Sequence, residues 1–172
     1  NCSANQGCDE QFLGDQFNAG ATEISGVELS LNYQVDVADY EIPFQLNYTY
    51  TDAYFKNNHT SKMWGMVTAG DEIPYIANNQ LALSTGIIRH NISINIQGKY
   101  TADTPTKAGS NDNLIPSRTV WDLSTKYKIS DKQAIYLTID NLFDKQYIAN
   151  RSNGGIQVGK PQSIQIGFNA TF

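Results

Sequence analysis

The chain has 172 residues, enough for one domain or for part of a larger one. Its net charge of −5 and pI of about 4.8 leave no electrostatic case for binding nucleic acid. No run of 18 apolar residues occurs. That excludes a transmembrane helix but not a transmembrane barrel, whose lumen face is polar and whose hydropathy per segment is weak.

The first 18 residues read as loop. The chain opens Asn1-Cys2-Ser3, with no methionine, basic region or apolar leader, so a processed chain or a fragment is expected. Cys2 and Cys8 stand in a polar Asn/Gln/Ser/Gly run. They read as a disulfide stapling a loop in an oxidising compartment, with a pair of free thiols as the alternative. No histidine lies near them, so a zinc site is not expected.

From Gly26 to Val35 the chain alternates cleanly. Val27, Leu29, Leu31, Tyr33 and Val35 take one face, and Glu28, Ser30, Asn32 and Gln34 take the other. A side-chain period of two marks a strand. A short connection leads to a second strand, Ile42 to Ala53, with Phe44, Leu46, Tyr48 and Tyr50 on one face. Tyr54 to Glu72 has no sustained period and is expected to be loop. The third strand is expected from Pro74 to Ile87 and the fourth from Asn91 to Thr101, across a short break. Ala102 to Leu114 is rich in Asp, Asn, Gly, Pro and Ser, and reads as a second long loop. The fifth strand, Ser117 to Ile129, joins the sixth, Gln133 to Asp140, through a tight turn. A third long loop reaches Gly159, and the seventh strand runs from Lys160 to Phe172.

Seven strands and no helix follow, with connections that alternate short and long. Outer-membrane barrels have short periplasmic turns and long outer loops. The C-terminus is then periplasmic, and the N-terminal segment with both cysteines lies outside. Aromatic residues agree. Tyr33, Phe44, Tyr127 and Phe172 fall at one end of the apolar rows, and Tyr48, Tyr50, Tyr75 and Tyr100 at the other. Two such girdles are expected where a barrel meets the bilayer interfaces.

The last 39 residues carry further pieces: Asp140-Asn141-Leu142-Phe143-Asp144-Lys145 with Tyr147, then Gly159-Lys160-Pro161, then a terminal Phe172. Upstream stand Gly26-Val27-Glu28, Tyr48-Thr49-Tyr50-Thr51-Asp52-Ala53 and Ile73-Pro74-Tyr75. In these the chain resembles the C-terminal part of TonB-dependent outer-membrane receptors. The resemblance implies an all-β, antiparallel transmembrane β-barrel. Residues 1–172 would be seven C-terminal strands of a barrel of about 22, closed around a plug domain that this chain lacks. It implies outer-membrane uptake of a ferric chelate or similar nutrient, driven through the TonB complex. The implied partners are outer-membrane lipid, the plug and remaining barrel, the TonB complex, the barrel assembly machinery and the chelate itself. Ile164, Ile166, Phe168 and Phe172 would form the C-terminal signal read in assembly. The run Asp71 to Tyr75, followed by Asn79-Gln80, resembles ferric-citrate-type receptors within the family.

No catalytic constellation, metal-ligand cluster or cofactor motif stands in the sequence. An enzyme is therefore not expected, nor a cofactor or bound metal. His59 and His90 are expected at opposite ends of the barrel. Asp140 and Asp144 read as turn and loop-anchoring groups. Inward-facing polar residues such as Glu28, Gln45, Asn47, Gln80, Gln97, Lys99, Arg118 and Asp122 mainly solvate the lumen in this reading. Three residues are candidates for ligand contact: Arg118 near the outer mouth, Arg151 in the last outer loop, and Gln80. Guanidinium groups suit the carboxylates of a chelate. A non-transporting outer-membrane barrel or adhesin, and a soluble β-sandwich, are the alternatives.

Overall fold

The computed structural model describes residues 20–61, 65–152 and 155–171. Cys2, Cys8 and Phe172, on which expectations were placed, lie outside the described residues.

Eleven strands occur among the described residues: β1 (Thr22–Val37), β2 (Tyr40–Phe55), β3 (His59–Ser61), β4 (Gly65–Val67), β5 (Asn79–Arg89), β6 (Ile92–Thr101), β7 (Arg118–Ser130), β8 (Gln133–Asp140), β9 (Ile148–Ser152), β10 (Gly155–Val158) and β11 (Ser163–Ala170). Seven of them form one antiparallel meander in the order β1-β2-β5-β6-β7-β8-β11. These correspond to the seven expected strands. The third starts later than expected, at Asn79 and not Pro74, because Tyr75 takes a left-handed φ of 66° that no strand accommodates. The seventh begins in the ladder at Ser163 and not at Lys160. Two of the long loops also hold more than expected. A small hairpin, β3–β4, lies within 54–72, and another, β9–β10, within 141–159. Three-to-five-residue strands are too short to show a period against their loop surroundings.

At one end of the sheet the three connections are two residues long: Ala38-Asp39, His90-Asn91 and Asp131-Lys132. Ala38 and His90 have φ of 53° and 49°, the left-handed backbone that tight hairpins use. All long connections lie at the other end. Strands β1 and β2 have 16 residues each, more than the nine to eleven that a tilted membrane strand needs.

Register aligns like with like. Tyr33, Phe44, Thr85, Ile96, Leu123, Ile139 and Ile164 form one cross-strand row over all seven strands. Leu31, Leu46, Leu83, Gly98 and Trp121 form the next. The other face carries Asn32, Gln45, Ser84, Gln97 and Asp122 in one row and Glu28, Thr49, Gln80, Thr101 and Arg118 in another. The apolar face is bare: Leu29, Leu31 and Tyr33 are 53%, 48% and 64% exposed. A continuous apolar surface of this extent marks a membrane or a partner.

The buried cluster lies at the long-loop end of the sheet. Among the described residues Phe55, the last residue of β2, packs there with Val67, Ala108 and Ile73 of the long connections. Main-chain bonds tie these connections together, Tyr75 N to Pro105 O (2.8 Å), Phe55 N to Asp71 O (3.0 Å) and Ala102 N to Asn79 O (2.9 Å).

Aromatic rings cover glycines at three places. A Cβ on Gly98 would lie 2.7 Å from the Trp121 ring, one on Gly159 2.1 Å from Tyr147, and one on Gly167 2.0 Å from Tyr136. Gly167 and Tyr136 are cross-strand partners. Gly167→Ala is expected to destabilise the full-length barrel by about 1–2 kcal/mol, because the ring must leave its seat. In a Tyr136→Ala background the same change is expected to be nearly neutral. Urea unfolding of the four variants measures the coupling, and a value below about 0.5 kcal/mol would show that ring and glycine do not depend on each other.

Candidate functional site

The three candidates for ligand contact, Gln80, Arg118 and Arg151, stand towards the end with the long connections. Gln80 on β5 and Arg118 on β7 both pair with Thr101 of β6, so they share one row of the polar face. Two strand spacings separate their backbones by about 10 Å. Gln80 is exposed, whereas Arg118 is half-buried. The Arg118 guanidinium lies 5.8 Å from the centre of the Tyr147 ring. A cation over an aromatic face is held electrostatically. Tyr147 in turn rests on Gly159, whose main-chain N donates to Tyr147 O at 2.8 Å. Arg118 is thus oriented by the loop that follows β8. Tyr147 entered the sequence reading only as a motif residue. Nothing in the spacing shows that a residue 29 positions on would seat Arg118.

Arg151 lies apart. It pairs with Ile156 in the β9–β10 hairpin, and its Nε is buried without a hydrogen-bond partner among the described residues. No hydrogen bond or ring contact joins it to Arg118 or Gln80 among the described residues. The structure therefore brings two of the three candidates into one row and leaves the third on a separate element.

The Asp71–Tyr75 run is built into the loop cluster. Asp71 Oδ2 accepts from Thr68 N at 2.7 Å, and its carboxylate lies against Gly109, where a Cβ would come within 2.7 Å. Asn78 Nδ2 donates to Glu72 Oε1 at 2.8 Å. These are loop-ordering contacts. His59 sits on β3, its ring 5.3 Å from that of Phe55, while His90 is in a two-residue turn at the opposite end.

The Asn141 turn is the most tightly bonded feature. Asn141 is 2% exposed, with φ of 51°. Its Nδ2 donates to Lys145 O (3.0 Å) and Lys160 O (2.9 Å), and its Oδ1 accepts from Lys145 N (2.9 Å). Its main-chain N donates to Asp122 Oδ1 at 2.9 Å. Asp144 Oδ1 accepts from Gln162 N at 3.1 Å. Asp140, the last residue of β8, pairs with Lys160 and accepts from Ser163 Oγ at 3.2 Å. At the long-loop end of β1, Glu23 and Lys56 form an ion pair of 2.9 Å on the surface.

Known proteins can now be set beside this geometry. Residues 1–142 match the family described as TonB dependent receptor-like, beta-barrel. The chain belongs to that family. Three solved structures share its fold. The siderophore receptor PiuA from Acinetobacter baumannii aligns with a TM-score of 0.72 and 21% identity, over 89% of this chain and 22% of that one. The ferric-catecholate import receptor Fiu from E. coli K12 aligns in its closed form with a TM-score of 0.68 and 20% identity, over 92% and 23%. Its open form gives 0.65 and 18%, over 87% and 21%. The chain therefore spans about a fifth of the length of these receptors. No curated protein matches the sequence. This TonB-dependent receptor segment is an all-β, antiparallel portion of an outer-membrane barrel wall. The family consists of receptors and transporters.

Proposed function

We propose that the protein takes up a ferric chelate across the bacterial outer membrane, energised by the TonB complex, and that residues 1–172 form the C-terminal part of its barrel. The observation that carries this is the two-faced seven-stranded wall, which aligns with barrels of a siderophore receptor and a ferric-catecholate import receptor. In this reading the apolar rows meet lipid, the polar rows line the lumen, and the two-residue turns and the C-terminus are periplasmic. A plug domain and the earlier strands come from the rest of the polypeptide. The open edges of β1 and β11 support that, because unpaired backbone amides in lipid cost several kcal/mol each.

Arg118, Gln80 and Arg151 then contact an anionic chelate at the outer mouth. Cys2 and Cys8 close a disulfide outside the cell. Ile164, Ile166, Phe168 and Phe172 present the apolar face recognised during assembly into the membrane. The test is uptake by the full-length receptor in a host stripped of its own ferric-chelate receptors. Radioiron from a catecholate or citrate chelate is expected to enter, and collapsing the proton gradient is expected to stop entry without stopping surface binding. Entry of no chelate, or entry indifferent to the gradient, would overturn the proposal.

A further inference from the structure

One charged side chain stands where the apolar face has no other. From the row of Tyr48, Leu81, Tyr100 and Thr119 to the last row before the tight turns, every apolar-side position among the described residues is uncharged except Arg89. Alternation puts it there, because Leu81, Leu83, Thr85 and Ile87 precede it on β5 at steps of two. Arg89 pairs with Ile92, Ile92 with Tyr127, and Tyr127 with Ile135. On its other side β2 brings Tyr40 opposite it, one step on from the Glu41–Ile88 pair. Arg89, Tyr40, Ile92 and Tyr127 are all exposed.

The Tyr40 ring seats the guanidinium on this face. Arg89 Cζ lies 4.7 Å from the centre of that ring. A cation over an aromatic face is held electrostatically, and more strongly where water is scarce. Stacking uses the flat side of the group and leaves its N–H edge open. No carboxylate takes that edge, since the ion pairs among the described residues are Lys56–Glu23 and Lys160–Asp140. Asp36 and Glu41 of the β1–β2 hairpin stand across from each other on the polar face.

We infer that Arg89 and Tyr40 bind the phosphodiester of a phospholipid headgroup in the leaflet at the tight-turn end. The inference rests on the proposed reading that the apolar rows meet lipid. In that reading Arg89 stands at the edge of the hydrocarbon, in one row with Tyr40 and Tyr127 at the depth of the headgroups. A charge facing lipid is costly unless a counter-charge lies beside it. The planar fork of N–H donors matches two phosphate oxygens at once. A water-soluble anion would have to enter between the acyl chains and the wall, whereas a phospholipid carries its phosphate to that place. Ile87 and Ile92, exposed beside Arg89, suit its acyl chains.

The test titrates the detergent-purified, delipidated full-length receptor with phosphatidylglycerol, and with diacylglycerol as the same chains without the phosphate. Native mass spectrometry counts the bound lipid. Phosphatidylglycerol is expected to bind Arg89→Gln several-fold more weakly than wild type, and diacylglycerol to bind both alike. Arg89→Lys keeps the charge and loses the fork, and is expected to fall between them. The heat-modifiable gel shift shows that each variant is folded; if Arg89→Gln is not, Arg89→Lys against wild type decides in the same way. Unchanged phosphatidylglycerol binding in the folded variants would overturn the inference. So would diacylglycerol weakened as much as phosphatidylglycerol, which would make the site a packing groove. Displacement of the lipid by inorganic phosphate would also overturn it, by making this a site for free anions. Uptake is not read, and Leu83→Arg reports the facing of the sheet separately. If Leu83→Arg is tolerated, the lipid-facing reading fails; if it is not and Arg89→Gln binds lipid as wild type does, this inference alone fails.

Discussion

Leu83→Arg is expected to cost the full-length barrel about 2–4 kcal/mol and to stop most of it reaching the outer membrane, whereas Ser84→Arg is expected to be tolerated. Leu83 sits in the apolar row with Leu31, Leu46, Gly98 and Trp121, away from either end of β5. A guanidinium there faces hydrocarbon with no cross-strand acid to pair with. Ser84 is the next residue, and its side chain leaves the other face. Its Oγ donates to Asn95 Oδ1 at 2.9 Å, and its row contains Asn32, Gln45, Gln97 and Asp122. An arginine placed there meets water, amides and a carboxylate two strands away. The heat-modifiable gel shift of the folded barrel, with the amount in outer membranes, reads the difference. Equal tolerance of both substitutions would mean that the two faces have been assigned to the wrong solvents.

The second large effect is expected at Asn141. Asn141→Ala removes two donors and one acceptor that bridge Lys145 and Lys160, and leaves part-buried main-chain groups without these partners. Each such group costs about 1–3 kcal/mol, though the costs do not simply add. A non-glycine residue with a Cβ at φ of 51° adds about 1 kcal/mol when no side-chain bond rewards it. We expect a total near 3–4 kcal/mol. Asn141→Gly relieves the backbone strain without restoring the bonds and should cost about 1 kcal/mol less. Asn141→Asp keeps the acceptor for Lys145 N but turns a charge towards two carbonyl oxygens, and should fall close to alanine. Urea unfolding of the detergent-solubilised receptor gives the three values. An alanine variant within 1 kcal/mol of wild type would mean that the clamp between β8 and β11 is dispensable.

These two sites differ in how far they could be read from the chain. Alternation alone puts Leu83 and Ser84 on opposite faces, because a strand has one periodicity and a register slip would carry every apolar residue to the wrong side. The order of the seven strands followed from their succession and from connections that alternate short and long. The Asn141 turn was legible as a turn, through Asn, Asp and the break in period, but its partners were not. Lys160 lies 19 residues away, and only the return of the chain along β8 brings the carbonyl to the amide.

The sequence by itself determined that this chain is a sheet with one apolar and one polar side, its tight turns at one end and its loops at the other. Local sterics and a two-residue period suffice for that. Tertiary structure alone decided the rest. It packed Val67, Ala108 and Ile73 of the long connections onto Phe55 at the end of β2, where short hairpins have no period to reveal them. It seated Arg118 on Tyr147 and left Arg151 on another element. It laid the Arg89 guanidinium of β5 over the Tyr40 ring of β2. Each of these joins residues from separate connections or strands, and such contacts depend on how the chain closes in space.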